Sequence, residues 1–232
     1  MKQNSTFSIL LFQLIFVLMG CSTSNEEKQD QNQASNTSVP TVSADETSSK
    51  KTIIFFGNSL TAGYGLEKEQ AFPQLIQQKI DKLALPYTIV NAGLSGETTA
   101  GGLGRVDWII GQQKPDIFVL SLGGNDALRG IDPNNTKDNL EKIIDKVKKV
   151  NPQCKILLAG ILPPPNMGDD YFKAFEKLYP QISKEKNTYL LPFLLEGVAG
   201  EPSLNQADGI HPNVEGAKIV ANTVFKSLQP LL

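Results

Sequence analysis

The chain has few of the side chains that do polar chemistry near neutral pH. Its 232 residues include a single histidine, His211, and two cysteines, Cys21 and Cys154. That inventory excludes an intramolecular disulfide framework and a Cys/His zinc cluster. Any step that needs an imidazole falls to His211. Charge of one sign is lacking as well: 22 Lys and Arg stand against 24 Asp and Glu, a formal net charge of −2. Nucleic-acid binding requires clustered basic residues, so this balance argues against such a partner. The short run Lys146, Lys148, Lys149 reads as the solvated end of a helix. Nucleotide fingerprints are missing too. There is no Walker pattern, and Gly102-Leu103-Gly104 is followed by Asp107 where a dinucleotide site needs its third glycine. The G-x-S-x-G nucleophile elbow is absent, because Gly93-Leu94-Ser95-Gly96 is followed by Glu97.

Long hydrophobic runs are also scarce. The one candidate, Ile9 to Met19, is interrupted by Gln13 and is too short for a spanning helix. Behind the basic start at Lys2 it reads as a secretory signal over residues 1–20. The following Leu18-Met19-Gly20-Cys21 resembles the lipobox of bacterial lipoproteins. That resemblance implies cleavage before Cys21, acylation of its thiol, and export to a membrane-anchored, periplasmic or outer-membrane location. Two or more acyl chains make such an anchor stable, whereas one is marginal. Ser22 to Lys50 has no aromatic residue, no Leu and no Ile. It cannot bury enough apolar surface to offset its ordering entropy. Residues 21–50 are therefore expected to form a lipidated tether with a reach on the order of 30 Å.

What is present begins at residue 51. Ile53-Ile54-Phe55-Phe56 is a continuous apolar run, as in a strand buried on both faces. Tyr87–Val90, Ile117–Leu120, Lys155–Ala159 and Tyr189–Leu191 read as four further strands. Between them lie helical patterns. Phe72, Leu75, Ile76, Ile80 and Leu83 share one face, and Leu140, Ile143, Ile144 and Val147 follow the i, i+3, i+4, i+7 spacing. Val106–Ile110 closes a short helix. Phe172, Phe175, Tyr179 and Ile182 line another, which Pro180 is expected to kink or restart. Val214–Leu228 is the last. This alternation predicts an α/β fold: a three-layer α/β/α sandwich on a five-stranded parallel sheet of flavodoxin-like order 2-1-3-4-5, over residues 51–232.

Such sheets place ligands beyond the carboxyl ends of their strands, so the loops there carry the information. Gly57-Asn58-Ser59-Leu60 follows strand one, and Asn91-Ala92-Gly93 follows strand two. Gly123-Gly124-Asn125-Asp126 follows strand three, and Asp208-Gly209-Ile210-His211-Pro212 comes late in the chain. Singly, each reads equally well as a cap or turn. Jointly they supply a nucleophile, a base, a base-orienting carboxylate and oxyanion donors, the parts of acyl transfer.

These four blocks, in order and in register, resemble the SGNH or GDSL hydrolases. The strings Leu60-Thr61-Ala62-Gly63-Tyr64-Gly65 and Asn125-Asp126-Ala127-Leu128-Arg129-Gly130 resemble the branch containing acyl-CoA thioesterase I, arylesterases and lysophospholipases. The resemblance spans Thr52 to Leu228. It implies Ser59 as nucleophile, His211 as general base and Asp208 as its partner. It further implies the N–H groups of Ser59 and Gly93 and the amide of Asn125 as the oxyanion hole. No metal and no organic cofactor are implied, and the partner is a small-molecule or lipid ester. A carbohydrate O-deacetylase or a catalytically silent binder of acylated ligands would share the scaffold. One departure stands out: Asn58 occupies a position where the family usually has aspartate. Asparagine is nearly isosteric but neutral, and it brings an NH₂ donor.

Overall fold

A computed structural model describes residues 50–232. The signal, Cys21 and most of the tether expected from the sequence lie outside the described residues.

The chain begins with β1 (Lys51–Gly57), a four-residue helix α1 (Ser59–Ala62), a 3-10 turn at Lys68–Gln70 and α2 (Phe72–Lys82). β2 (Tyr87–Gly93), α3 (Thr99–Gln112), β3 (Ile117–Ser121), α4 (Gly124–Leu128) and α5 (Pro133–Val150) follow. After β4 (Lys155–Ala159) come a 3-10 turn at Pro165–Met167, α6 (Asp169–Lys186) and β5 (Tyr189–Leu191). Two more 3-10 turns, Pro202–Leu204 and Gln229–Leu231, flank α7 (Val214–Leu228).

The strands form one parallel sheet in the order β2-β1-β3-β4-β5, the order expected from the sequence. β1 lies between β2 and β3, with Gly57 level with Gly93 on one side and Ser121 on the other. Position in the sheet explains composition. β3 is buried throughout and β1 from Thr52 onward, whereas the edge strand β2 is only partly covered.

Successive strand residues point to opposite faces. Phe55 meets Phe72 of α2 edge-on, with ring centroids 5.7 Å apart. Phe56 faces the other way, towards α3, where the Arg105 guanidinium lies 4.3 Å from its ring centre. α2 and α7 pack together on the first side; α3, α5 and α6 pack side by side on the second. The result is the α/β/α sandwich.

Two expectations need correction. The short helix ending at Ile110 is in fact α3, a 14-residue helix that starts at Thr99. Gly101, Gly102 and Gly104 weakened its sequence signal. Gly102 is needed for close packing, since a methyl group there would come 2.4 Å from Leu122 Cδ1. Pro180 does not restart α6, which runs unbroken through it. Phe175, Leu178, Tyr179 and Ile182 are buried on the inner face, while Pro180 is exposed. Burial of that face outweighs the lost hydrogen bond and ring clash, a cost of about 3 kcal/mol.

Candidate active site

The carboxyl ends of β1 and β3 and the loop before α7 converge on one cleft. The turn after β1 is set by its neighbours. A Cβ on Gly57 would meet Thr61 Oγ1 at 2.1 Å and the Ser121 carbonyl at 2.7 Å, so only glycine fits. Asn58 is 2% exposed and caps α1, its Oδ1 accepting the Leu60 N–H at 3.1 Å. The oxygen of asparagine does here what a carboxylate oxygen would do, so the departure at Asn58 leaves the cap intact. Ser59 is the first residue of α1. The helix ends after one turn at Gly63, whose φ of 77° lets its N–H return to the Ser59 carbonyl.

His211 is carried by a loop pinched shut by an antiparallel bridge between Asn205 and Pro212. Within it, Asp208 Oδ1 accepts the N–H groups of Ile210 (2.9 Å) and His211 (3.0 Å). Its Oδ2 lies 2.7 Å from His211 Nδ1, and His211 Nε2 lies 2.8 Å from Ser59 Oγ. The three side chains thus form one unbroken relay. The backbone N–H groups of His211 and Ile210, with help from the imidazole, hold the Asp208 carboxyl down at about 2. An ionised carboxylate only accepts, so in the neutral imidazole the proton sits on Nδ1. Nε2 is then left with a lone pair directed at the Ser59 hydroxyl. Tyr64 covers the imidazole, its ring centre 4.6 Å away at an interplanar angle of 41°.

Asn125 lies in α4, and its Nδ2 donates to the Glu97 carbonyl at 2.9 Å. One of its two amide hydrogens is thereby used for orientation, and the other has no acceptor among the described residues. α4 is fixed by the buried Asp126, which accepts the Thr99 N–H (2.9 Å) and hydroxyl (2.5 Å) at the start of α3. The Glu97 side chain pairs with Arg105 at 2.5 Å and is 3% exposed. Arg105 also donates to the Ala92 carbonyl, which ties the 94–97 turn to the end of β2.

Gly93 differs from the sequence expectation. Its N–H donates to Asn91 Oδ1 at 2.9 Å and is not free for a ligand. Its lack of a side chain has another cause: a Cβ there would stand 2.3 Å from the Ala62 nitrogen. Gly96, three residues on, has a φ of 79° and open space around it. Its N–H has no acceptor among the described residues, and its carbonyl is held by Arg129 at 3.1 Å. The repeated glycines of Gly93-Leu94-Ser95-Gly96 were visible in the sequence, but which N–H was already occupied was not.

Beside Ser59 opens an apolar groove of about 450 Å³, lined by Leu60, Ala127, Leu128, Ile161, Leu162, Phe193, Leu195 and Ile210. Pro163, Pro164 and Pro165, in the loop after β4, contribute to its wall. Cys154 is no rival nucleophile. It is buried at the start of β4, the far end of the sheet from this cleft, and burial pushes its thiol up to about 12. No group of three His, Cys, Asp or Glu side chains among the described residues is placed to hold a metal ion.

The site thus sets a hydroxyl, an imidazole and a carboxylate in hydrogen-bond series at the carboxyl end of a parallel α/β/α sheet. The chain belongs to the GDSL-like lipase/acylhydrolase family, whose model matches residues 55–219. It is 38% identical over 182 residues to esterase TesA of Pseudomonas aeruginosa, covering 78% of this chain and 90% of that one. It is 39% identical over 181 residues to thioesterase 1/protease 1/lysophospholipase L1 of Escherichia coli, covering 78% and 85%. The crystal structure of the psychrotrophic esterase EstA from a Pseudoalteromonas species, inhibited by monoethylphosphonate, superposes with a TM-score of 0.74 at 32% identity. It covers 78% of this chain and 98% of EstA.

Proposed function

We propose that this protein is a serine carboxylic-ester hydrolase acting on esters or thioesters of short to medium acyl chains, aryl esters or lysophospholipids. The observation that carries the reading is the relay Ser59 Oγ–His211 Nε2–Asp208 at 2.8 and 2.7 Å. Ser59 Oγ attacks the acyl carbonyl while Nε2 takes its proton, and the imidazolium then protonates the leaving alcohol or thiol. Asp208 fixes the tautomer and balances the positive ring. Water, deprotonated by the same nitrogen, attacks the acyl-enzyme and releases the acid.

The oxyanion needs donors on the opposite side. The Ser59 N–H at the start of α1 and the free Asn125 amide hydrogen are suited to it. The unpaired Gly96 N–H replaces Gly93 as the third. Each such donor is worth roughly a hundred- to a thousandfold in rate.

The names of the relatives, esterase TesA and thioesterase 1/lysophospholipase L1, support an acyl-ester substrate. The apolar groove supports it physically, because an acyl chain rather than a sugar matches its lining. An O-deacetylase would have no use for so large an apolar surface, and a silent binder would have no use for the relay. Cys21 is proposed as the lipidation site that anchors the exported protein to the membrane, with residues 22–50 as tether.

The test uses p-nitrophenyl esters with Ser59→Ala and His211→Ala alongside the parent. Each variant should lose several orders of magnitude in turnover. Near-parental hydrolysis by either would refute the assignment. A fluorophosphonate probe should label Ser59 in the parent, and failure to label it would return the silent binder to consideration.

A further inference from the structure

Gln206 lies outside the relay, yet its side chain reaches both sides of the cleft. Its Nε2 donates to the Tyr64 carbonyl at 2.7 Å and to the Pro212 carbonyl at 3.0 Å. Tyr64 lies two residues beyond the end of the helix that carries Ser59, and Pro212 directly follows His211. One NH₂ group therefore spends its two hydrogens joining the Tyr64 turn, 142 positions away from Gln206 in the chain, to the loop that carries His211. The backbone of Gln206 acts in the same direction, its N–H donating to the His211 carbonyl at 2.8 Å. The Tyr64 carbonyl held by this amide belongs to the residue whose ring covers the imidazole at 4.6 Å.

Space around this contact is tight. A Cβ on Gly65 would come 2.1 Å from Gln206 Oε1, and Gly65 has a φ of 73°. Glycine at position 65 thus lets the amide lie flat against the turn.

We infer that Gln206 is a positioning residue: its side-chain amide locks the Ser59-bearing turn to the His211-bearing loop and lays Tyr64 over the imidazole. The relay depends on it because Ser59 and His211 come from opposite ends of the domain. Asp208 fixes His211 only within its own loop. Without the amide, the Ser59–His211 distance rests on packing of the two loops alone, and a shift of about 1 Å can cost on the order of a hundredfold in rate. Glutamine is the fitting residue type. Glutamate has the same shape but no hydrogens to give when ionised, and methionine has similar length without donors.

This inference rests on the proposed hydrolase reading, and the experiment separates the two. Gln206→Met and Gln206→Glu are made in the full chain and compared with parent and Ser59→Ala on p-nitrophenyl butyrate. Both Gln206 variants should lose roughly ten- to a hundredfold in kcat, with KM within about twofold. His211 is the only histidine, so its ring-proton NMR signals are unambiguous. In the parent they should carry an upfield ring-current shift from Tyr64, and both variants should lose it. Variants that keep parental kcat and the shifted signal overturn the inference. If the parent hydrolyses no ester, the functional reading fails, and the NMR shift alone still decides whether the amide holds Tyr64 on the imidazole. If a variant melts early, the shift and kcat measured well below its transition give the same decision.

Discussion

Asp208 serves two ends with one carboxylate. Oδ1 holds two backbone N–H groups of its own loop and Oδ2 holds the imidazole. Those donors lower its carboxyl from 3.8 to about 2 in the folded protein. Because the folded value is depressed, its stabilising contribution is fully present above pH 3.8 and is lost as pH falls towards 2. The side chain is 37% exposed, so solvent screens that contribution and it is small. The role proposed for it in the chemistry predicts a larger effect. Asp208→Asn keeps the shape but removes the charge and the enforced tautomer, and turnover should fall by about 10³- to 10⁴-fold. Thermal unfolding at pH 6 should move little, and any difference from the parent should vanish near pH 2. A large stability loss at pH 6 with turnover preserved would show that Asp208 only shapes the loop. At this scale the sequence was partly legible. Ser59, Asn125, Asp208 and His211 stand out because few residue types can do their work. Gly96 and Gln206 do not, because their importance lies in which hydrogens are free and which are used. Asn58 was an open departure until its Oδ1 was seen to cap α1.

The turn between β2 and α3 shows how elements carry that geometry. Its Glu97 carbonyl orients Asn125 and its Gly96 carbonyl is held by Arg129. Arg105, two turns into α3, anchors it through the Glu97 carboxylate, the Ala92 carbonyl and the face of Phe56. Removing one partner of such a pair leaves the other buried and uncompensated. Arg105→Met should therefore destabilise the domain by about 3 kcal/mol and also reduce turnover as Asn125 loses its support. The double variant Glu97→Met/Arg105→Met should recover much of the stability, since two apolar side chains can replace a buried pair. Denaturant unfolding of the two variants is the check. An Arg105→Met protein as stable as the parent would mean that the pair contributes nothing. This strut was hidden in the sequence, as were α1 and α4. Helices of four or five residues are too short to show a period. The strands were the reverse case: apolar runs of four or five residues next to glycine or proline mark buried parallel strands almost unaided.

On the scale of the whole molecule, sheet direction decides what each end can do. All five strands are parallel, so every carboxyl end opens on the same side, and the loops there supply Ser59, Asn125 and the wall of the groove. The fold class and strand order were legible because alternation and right-handed crossovers leave few arrangements. The groove was not, because its lining comes from six separate stretches between Leu60 and Ile210 that only the fold brings together. It makes a quantitative demand on the substrate. A buried methylene contributes about 0.8 kcal/mol, close to fourfold in kcat/KM per added carbon when fully realised. The rate on p-nitrophenyl esters should climb at up to that slope from acetate, then level off where the chain outgrows the groove. Leu162 lines the wall and is only partly buried, so Leu162→Trp should narrow the groove without disturbing the core. That variant should hydrolyse the acetate ester at nearly the parental rate and level off at a shorter chain. A parent whose kcat/KM is flat with acyl length would remove the groove as the acyl site, leaving the relay to serve small acyl groups such as acetate. A plateau that shifts with Leu162→Trp while acetate turnover stays fixed ties chain-length selection to this groove and leaves the chemistry to the relay.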